Sequence, residues 1–218
     1  MIGDTQTSKV KNDHYRKPVV GLAGGIGSGK STVSAMMENL GGGIISSDRL
    51  GHEELQAQDV KATLQKWWGD VVLLPDGNVD RKKVASIVFA DPAQRHRLEA
   101  LLHPRIAVRR RDRMAELAEK PRIRFIVIDS PLLYESDLDL VCDVVVFVDA
   151  GIEARRERSE KHRGWPQGEL ERREKSQHPL DMKRARADYV CQNNSSLSDL
   201  QQQVDHIVNS ILSEFSSV

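Results

Sequence analysis

The sequence predicts an α/β fold, a parallel sheet flanked by helices. Three observations carry this. Val19 to Ala23 is a short apolar run that stops on glycines, as a buried strand does. Val33, Met36, Met37 and Leu40 then recur at helical spacing. Ile44-Ile45 opens a second strand, so strand, helix and strand fit within ~30 residues, the size of a βαβ unit.

The first helix is expected over 31–40, closed by Gly41-Gly42-Gly43. The second strand should end near Asp48. Residues 49–120 read as helical and more polar. Within them Asp91-Pro92 starts a helix, with Asp as cap and Pro at the first position. Leu98, Leu101 and Leu102 share one face of that helix, and Pro104 is expected to kink or interrupt it. Trp67-Trp68 should pack this region. IRFIVI at 123–128 and VVVFV at 144–148 are the next strands. Asp129 and Asp149 follow them, where open α/β sheets bind ligands. Residues 153–188 are helical and dense in Arg, Lys and Glu, with a break at Gly164-Trp165-Pro166. Tyr189-Val190-Cys191 is a last short strand. Ser198 with Gln201 is expected to form a capping box. Leu200, Val204, Ile207, Val208, Ile211 and Phe215 make the stripe of a closing helix.

Composition excludes several classes. The 218 residues suffice for one sizeable core. Lys+Arg and Asp+Glu both number 32, so a nucleic-acid-coating role lacks its basic excess. No apolar run approaches the ~20 residues that span a bilayer, and the polar start resembles no secretory signal. Residues 1–17 read as a flexible leader, and the expected compartment is the cytosol. Cys142 and Cys191 form no metal-spaced or CxxC pair and are expected to be idle thiols.

The chemistry sits in Gly24-Gly25-Ile26-Gly27-Ser28-Gly29-Lys30-Ser31, which fits G-x-x-x-x-G-K-[ST]. Glycines let backbone N–H groups curl round a polyphosphate with no Cβ in the way. The helix that follows presents its positive end to the anion. Lys30 supplies a cation for the β- and γ-phosphates, and the Ser31 hydroxyl is a ligand for Mg²⁺. Thr32 completes the ATP-binding segment. A GTP switch is disfavoured because no N-K-x-D segment follows. A motor ATPase is disfavoured because Ser130, not Glu, follows Asp129. A small-molecule kinase remains.

At this point the chain resembles the dephospho-CoA kinase family. The stretches that carry the likeness are GLAGGIGSGKST at 21–32 and the segment at 47–53. VDRKKVASIVFADPAQRHRLEALLHPRI at 79–106 is the most diagnostic, followed by DSPLLYES at 129–136. Gln177, Lys183, Ala187-Asp188 and NNSSL at 193–197 complete it. The chain departs from the family pattern at Ala23, at Ser46 and in the 192–196 loop.

The resemblance implies a P-loop NTPase-type sheet with a helical substrate-binding insert and a helical lid. The expected division is a core of 18–48, 121–152 and 189–218, an insert of 49–120 and a lid of 153–188. ATP and dephospho-CoA are the implied partners, with Mg²⁺ as cofactor and no nucleic acid, membrane or obligate protein partner. Asp48 matches the family's base toward the ribose 3′-hydroxyl. The competing reading is a helix N-cap aspartate. Arg158 and Arg163 are the lid cations expected to meet the transferring phosphoryl group. Arg155 and Arg156 are more simply a solvated face. Asp129 either holds a water on Mg²⁺ or is a turn carboxylate. His103 is a substrate-shaping candidate. The basic cluster from Arg105 to Arg113 reads as a solvated helix face. The rival functions are a nucleoside-monophosphate-type kinase and a nucleotide-binding regulator without transfer activity.

Overall fold

The computed structural model describes residues 17–216, without the side chains of residues 162 and 163. The expected leader lies outside the described residues except for Lys17. Its ammonium donates to the carbonyls of Leu117 (3.2 Å) and Lys120 (2.5 Å). The chain divides into two compact units, one of Ser46–Arg113 and one made of the remainder.

The larger unit is built on a five-stranded sheet with strand order β2-β3-β1-β4-β5. The strands are β1 (Val19–Gly24), β2 (Gly42–Ser46), β3 (Phe125–Asp129), β4 (Val144–Asp149) and β5 (Tyr189–Gln192). β1 runs parallel to both β3 and β4, and β4 parallel to β5. Parallel strands are covered on both faces, so they read as continuous apolar runs, and every residue of β1 is buried. Val20, Leu22, Val127 and Val146 pack on α1 (Lys30–Asn39) and α9 (Leu197–Ser216) through Val33, Met37, Val204 and Ile207. α8 (Leu180–Ala185) packs on β1 and β4. Two aspartates fasten strand starts. Asp143 accepts the Val19 N–H (2.8 Å) and Asp188 the Val145 N–H (2.7 Å). Cys142 and Cys191 are buried thiols not joined in a disulfide, and burial pushes the Cys191 thiol up to about 11.

The closing helix differs from expectation at its start. Its capping box is Ser196 with Asp199, not Ser198 with Gln201. The Asp199 N–H donates to Ser196 Oγ (3.1 Å) and the Ser196 N–H to Asp199 Oδ2 (3.4 Å). Asp serves as the reciprocal acceptor, so the helix gains two residues. The region from 153 to 188 is broken more than expected, into α6 (Ile152–Arg163), α7 (Glu169–Glu174) and α8.

The smaller unit holds α2 (Ser47–Leu55), α3 (Gln58–Trp68), α4 (Arg81–Ala90) and most of α5 (Pro92–Glu119). Val60, Leu64, Val72, Val79, Val84 and Leu102 form its core, with Trp67 and Trp68 packed against it. Pro104 does not interrupt α5. A proline there deprives the Ala100 carbonyl of its helical partner, at a typical ~3 kcal/mol. The turn that follows Pro104 is clamped instead. Arg105 donates from Nε to Glu54 (2.6 Å) and from both terminal nitrogens to Asp59 (2.7 and 3.0 Å). Arg109 Nε donates to the other Glu54 oxygen (2.7 Å).

Burial alone would raise the Glu54 carboxyl, but the two guanidinium bonds win and hold it below the usual carboxylate range. Its contribution to stability is therefore present at neutral pH. It is lost as pH falls through that lowered folded value. Glu54→Ala should destabilise this unit by about 2 kcal/mol, below the ~3–5 typical of a broken buried pair, because both arginines reach water. Urea melts followed through Trp67 and Trp68 fluorescence check this. A wild-type midpoint at pH 7 would exclude the clamp as a source of stability.

Candidate active site

The loop between β1 and α1 gets its shape from neighbours that leave no room for side chains. At Gly27 (φ +74°) a Cβ would lie 2.7 Å from the Arg155 carbonyl oxygen. At Gly29 (φ +95°) it would lie 2.1 Å from Asn193 Nδ2. Both positions need glycine twice over, for backbone angle and for contact. Gly29 starts α1 and no side chain caps that helix, so its first turn presents backbone donors as phosphate loops do.

The loop's carbonyls face the protein. Asn193 Nδ2 donates to the Ser28 carbonyl (2.8 Å), while the Asn193 N–H donates to the Asp149 carbonyl (2.7 Å). Arg158 Nη1 donates to the Gly27 and Ser28 carbonyls (both 3.3 Å), and Nη2 to the Asn193 carbonyl (3.1 Å). Lys30 Nζ folds over the loop onto the carbonyls of Gly24 (3.0 Å) and Gly25 (3.3 Å). Register places the strand ends together. Asp129 pairs with Leu22 and Asp149 with Gln192, while Val148 lies opposite Gly24. Backbone donors and a lysine ammonium gathered at one loop are the chemistry that can bind a polyphosphate.

The profile of the dephospho-CoA kinase family matches residues 18–199. The chain belongs to the dephospho-CoA kinase family. A dephospho-CoA kinase from Corynebacterium glutamicum is 38% identical over 195 residues, covering 89% of this chain and 97% of the relative. One from Bacillus licheniformis is 36% identical, covering 88% and 95%. A solved structure from Thermus thermophilus superposes with a TM-score of 0.75 at 30% identity, covering 89% of this chain and 97% of that one. The fold is also that of the dephospho-CoA kinase from Campylobacter jejuni (TM-score 0.68, 24% identity, 91% and 98% covered). The chain is thus a P-loop kinase, as expected.

The structure gathers Gly24, Gly25, Ile26, Gly27, Ser28, Gly29, Lys30, Ser31 and Thr32 into one loop and helix start. Asp129 ends β3, half-buried. Arg158 is on the loop, through carbonyls rather than through the donor side. The Arg163 side chain lies outside the described residues. In the smaller unit, Asp48 is exposed in the first turn of α2, not at the end of a strand. The cap of α2 is Ser46, whose hydroxyl accepts the Arg49 N–H (3.3 Å), so the N-cap reading of Asp48 falls away. His103 is exposed on α5.

Three residues with a place at the loop went unpredicted. Asn193 had a signal in the NNSSL stretch. Arg155, expected on a solvated face, is 6% exposed, and Glu174 contacts it. Nothing in their spacing distinguishes them from the surrounding charges. Lys183, only 1% exposed, pairs with Glu135 (2.7 Å) and donates to Gln177 (3.1 Å). Burial would raise the Glu135 carboxyl, but Lys183 and the His178 N–H hold it below its ordinary value.

The residues fit Mg²⁺. Ser31 and Asp129 offer hard oxygen donors, and the described residues hold no group of three His, Cys, Asp or Glu placed to cage a metal. Mg²⁺ is held in this way by one or two protein oxygens, waters and substrate phosphates.

Proposed function

We propose that the chain phosphorylates the ribose 3′-hydroxyl of dephospho-CoA with ATP, giving CoA and ADP. The phosphate loop, on a chain of this family, carries the reading. The loop's N–H groups and Lys30 hold the triphosphate. Asp48 orients the acceptor hydroxyl and takes its proton late, as a loose transition state requires. Arg163 is the lid cation assigned to the transferring phosphoryl group, and Arg158 holds the loop from its carbonyl side. Ser31 would hold Mg²⁺ directly and Asp129 would hold it through a water, and the metal would supply neutralisation of the phosphate charge. His103 shapes the substrate site. The setting is the cytosol, in keeping with two cysteines kept as thiols.

An ADP-coupled assay with MgATP tests this against a panel of dephospho-CoA and nucleoside monophosphates. ADP release with dephospho-CoA alone is the expected result. Release with a nucleoside monophosphate would favour that class of kinase. ATP binding without turnover on any acceptor would favour a regulator.

A further inference from the structure

The loop carries an anion of the protein's own. Glu174, at the end of α7, accepts the Ile26 N–H through Oε1 (3.3 Å), and the same oxygen contacts Arg155 Nη1. The pair lies directly on the loop. A Cβ on Gly25 would sit 2.9 Å from Arg155 Nη1 and 3.2 Å from Glu174 Oε1. Both side chains are largely buried, at 7% and 19% exposure. Arg158 and Lys30 touch the loop at carbonyls, and three further cations are paired with carboxylates that take no loop donor. Arg156 binds Glu153 and Glu171, and Arg172 and Arg173 bind Glu169. Arg155 differs, since its carboxylate partner also takes a loop donor.

We propose that Glu174 is a positioning residue that competes with the nucleotide's phosphates for Ile26 and Arg155. This deepens the reading of the loop as the ATP site and rests on it. A single N–H makes one strong bond, so a phosphate oxygen that takes the Ile26 N–H displaces the carboxylate. Arg155 keeps its place in that exchange, because Nε also donates to the Ala150 carbonyl (3.1 Å). Its guanidinium then faces the incoming anion, and charge-assisted bonding makes it a stronger partner than the loop amides alone. Glu174 thus sets ATP affinity from within the chain, as a tethered ligand at high local concentration.

The test uses the full chain with Glu174→Gln and Glu174→Ala, titrated calorimetrically with MgATP and with inorganic pyrophosphate. Both ligands should bind about three- to tenfold more tightly to each variant, the scale of one lost charge-assisted competitor. The steady-state change should appear in KM for ATP more than in kcat. Glu174→Gln keeps the side-chain shape, so it decides the matter should the alanine variant fold poorly. Unchanged or weaker binding by a folded Glu174→Gln protein overturns the proposal and leaves a structural ion pair. Failure of the wild type to bind MgATP would instead overturn the ATP-site reading itself.

Discussion

Replacing Lys30 with alanine should lower kcat by about 10²–10³-fold, the usual loss when one preorganised stabiliser of developing charge is removed. The ammonium is already tethered over the loop by the Gly24 and Gly25 carbonyls. On the proposed reading it meets the β- and γ-phosphates from that position. In a loose transition state charge spreads over the transferring oxygens, so the lysine matters most there. MgATP affinity should fall far less, because the loop amides stay in place. Single-turnover rates beside nucleotide titrations separate the two effects. A loss confined to affinity would show that Lys30 serves ground-state binding alone. Lys30→Arg is no conservative control, since a planar fork does not replace a point charge.

Asp48→Asn should reduce kcat by about 10²–10⁴-fold, the range for a positioned general base. Its structural cost should be small. Ser46, not Asp48, caps α2, and the lost first-turn charge is typically worth ~0.3–1 kcal/mol. ATP binding should stay near wild type. A variant that keeps wild-type turnover would remove Asp48 from the base role.

The parts of this fold that depend on local rules were legible. β1, the glycine loop and α1 follow from a buried apolar run, positive-φ positions and a helical stripe, all within 22 residues of chain, Val19 to Leu40. The cap of α9 slipped by two residues, from Ser198 to Ser196, because two serines compete for the same role and pattern alone does not choose between them. Pairings between distant residues left no trace in spacing. Glu54 meets partners 51 and 55 positions away. Arg158 was expected to meet a phosphoryl group and not to clamp carbonyls, since charge pattern says nothing of which face a guanidinium touches. Glu174 sits in a run where every glutamate looks like an i,i+4 partner.

Asn193 and Arg158 bear on the thermodynamics of nucleotide capture. They fasten the curl between β1 and α1 by protein atoms alone, from the strand β5 side and the α6 side. Association then loses little entropy to ordering the backbone, and more of the gross attraction survives as net affinity. A chain with Asn193 shortened to alanine would lose the bond to the Ser28 carbonyl, and part of that rigidity, with the loop's own residues unchanged.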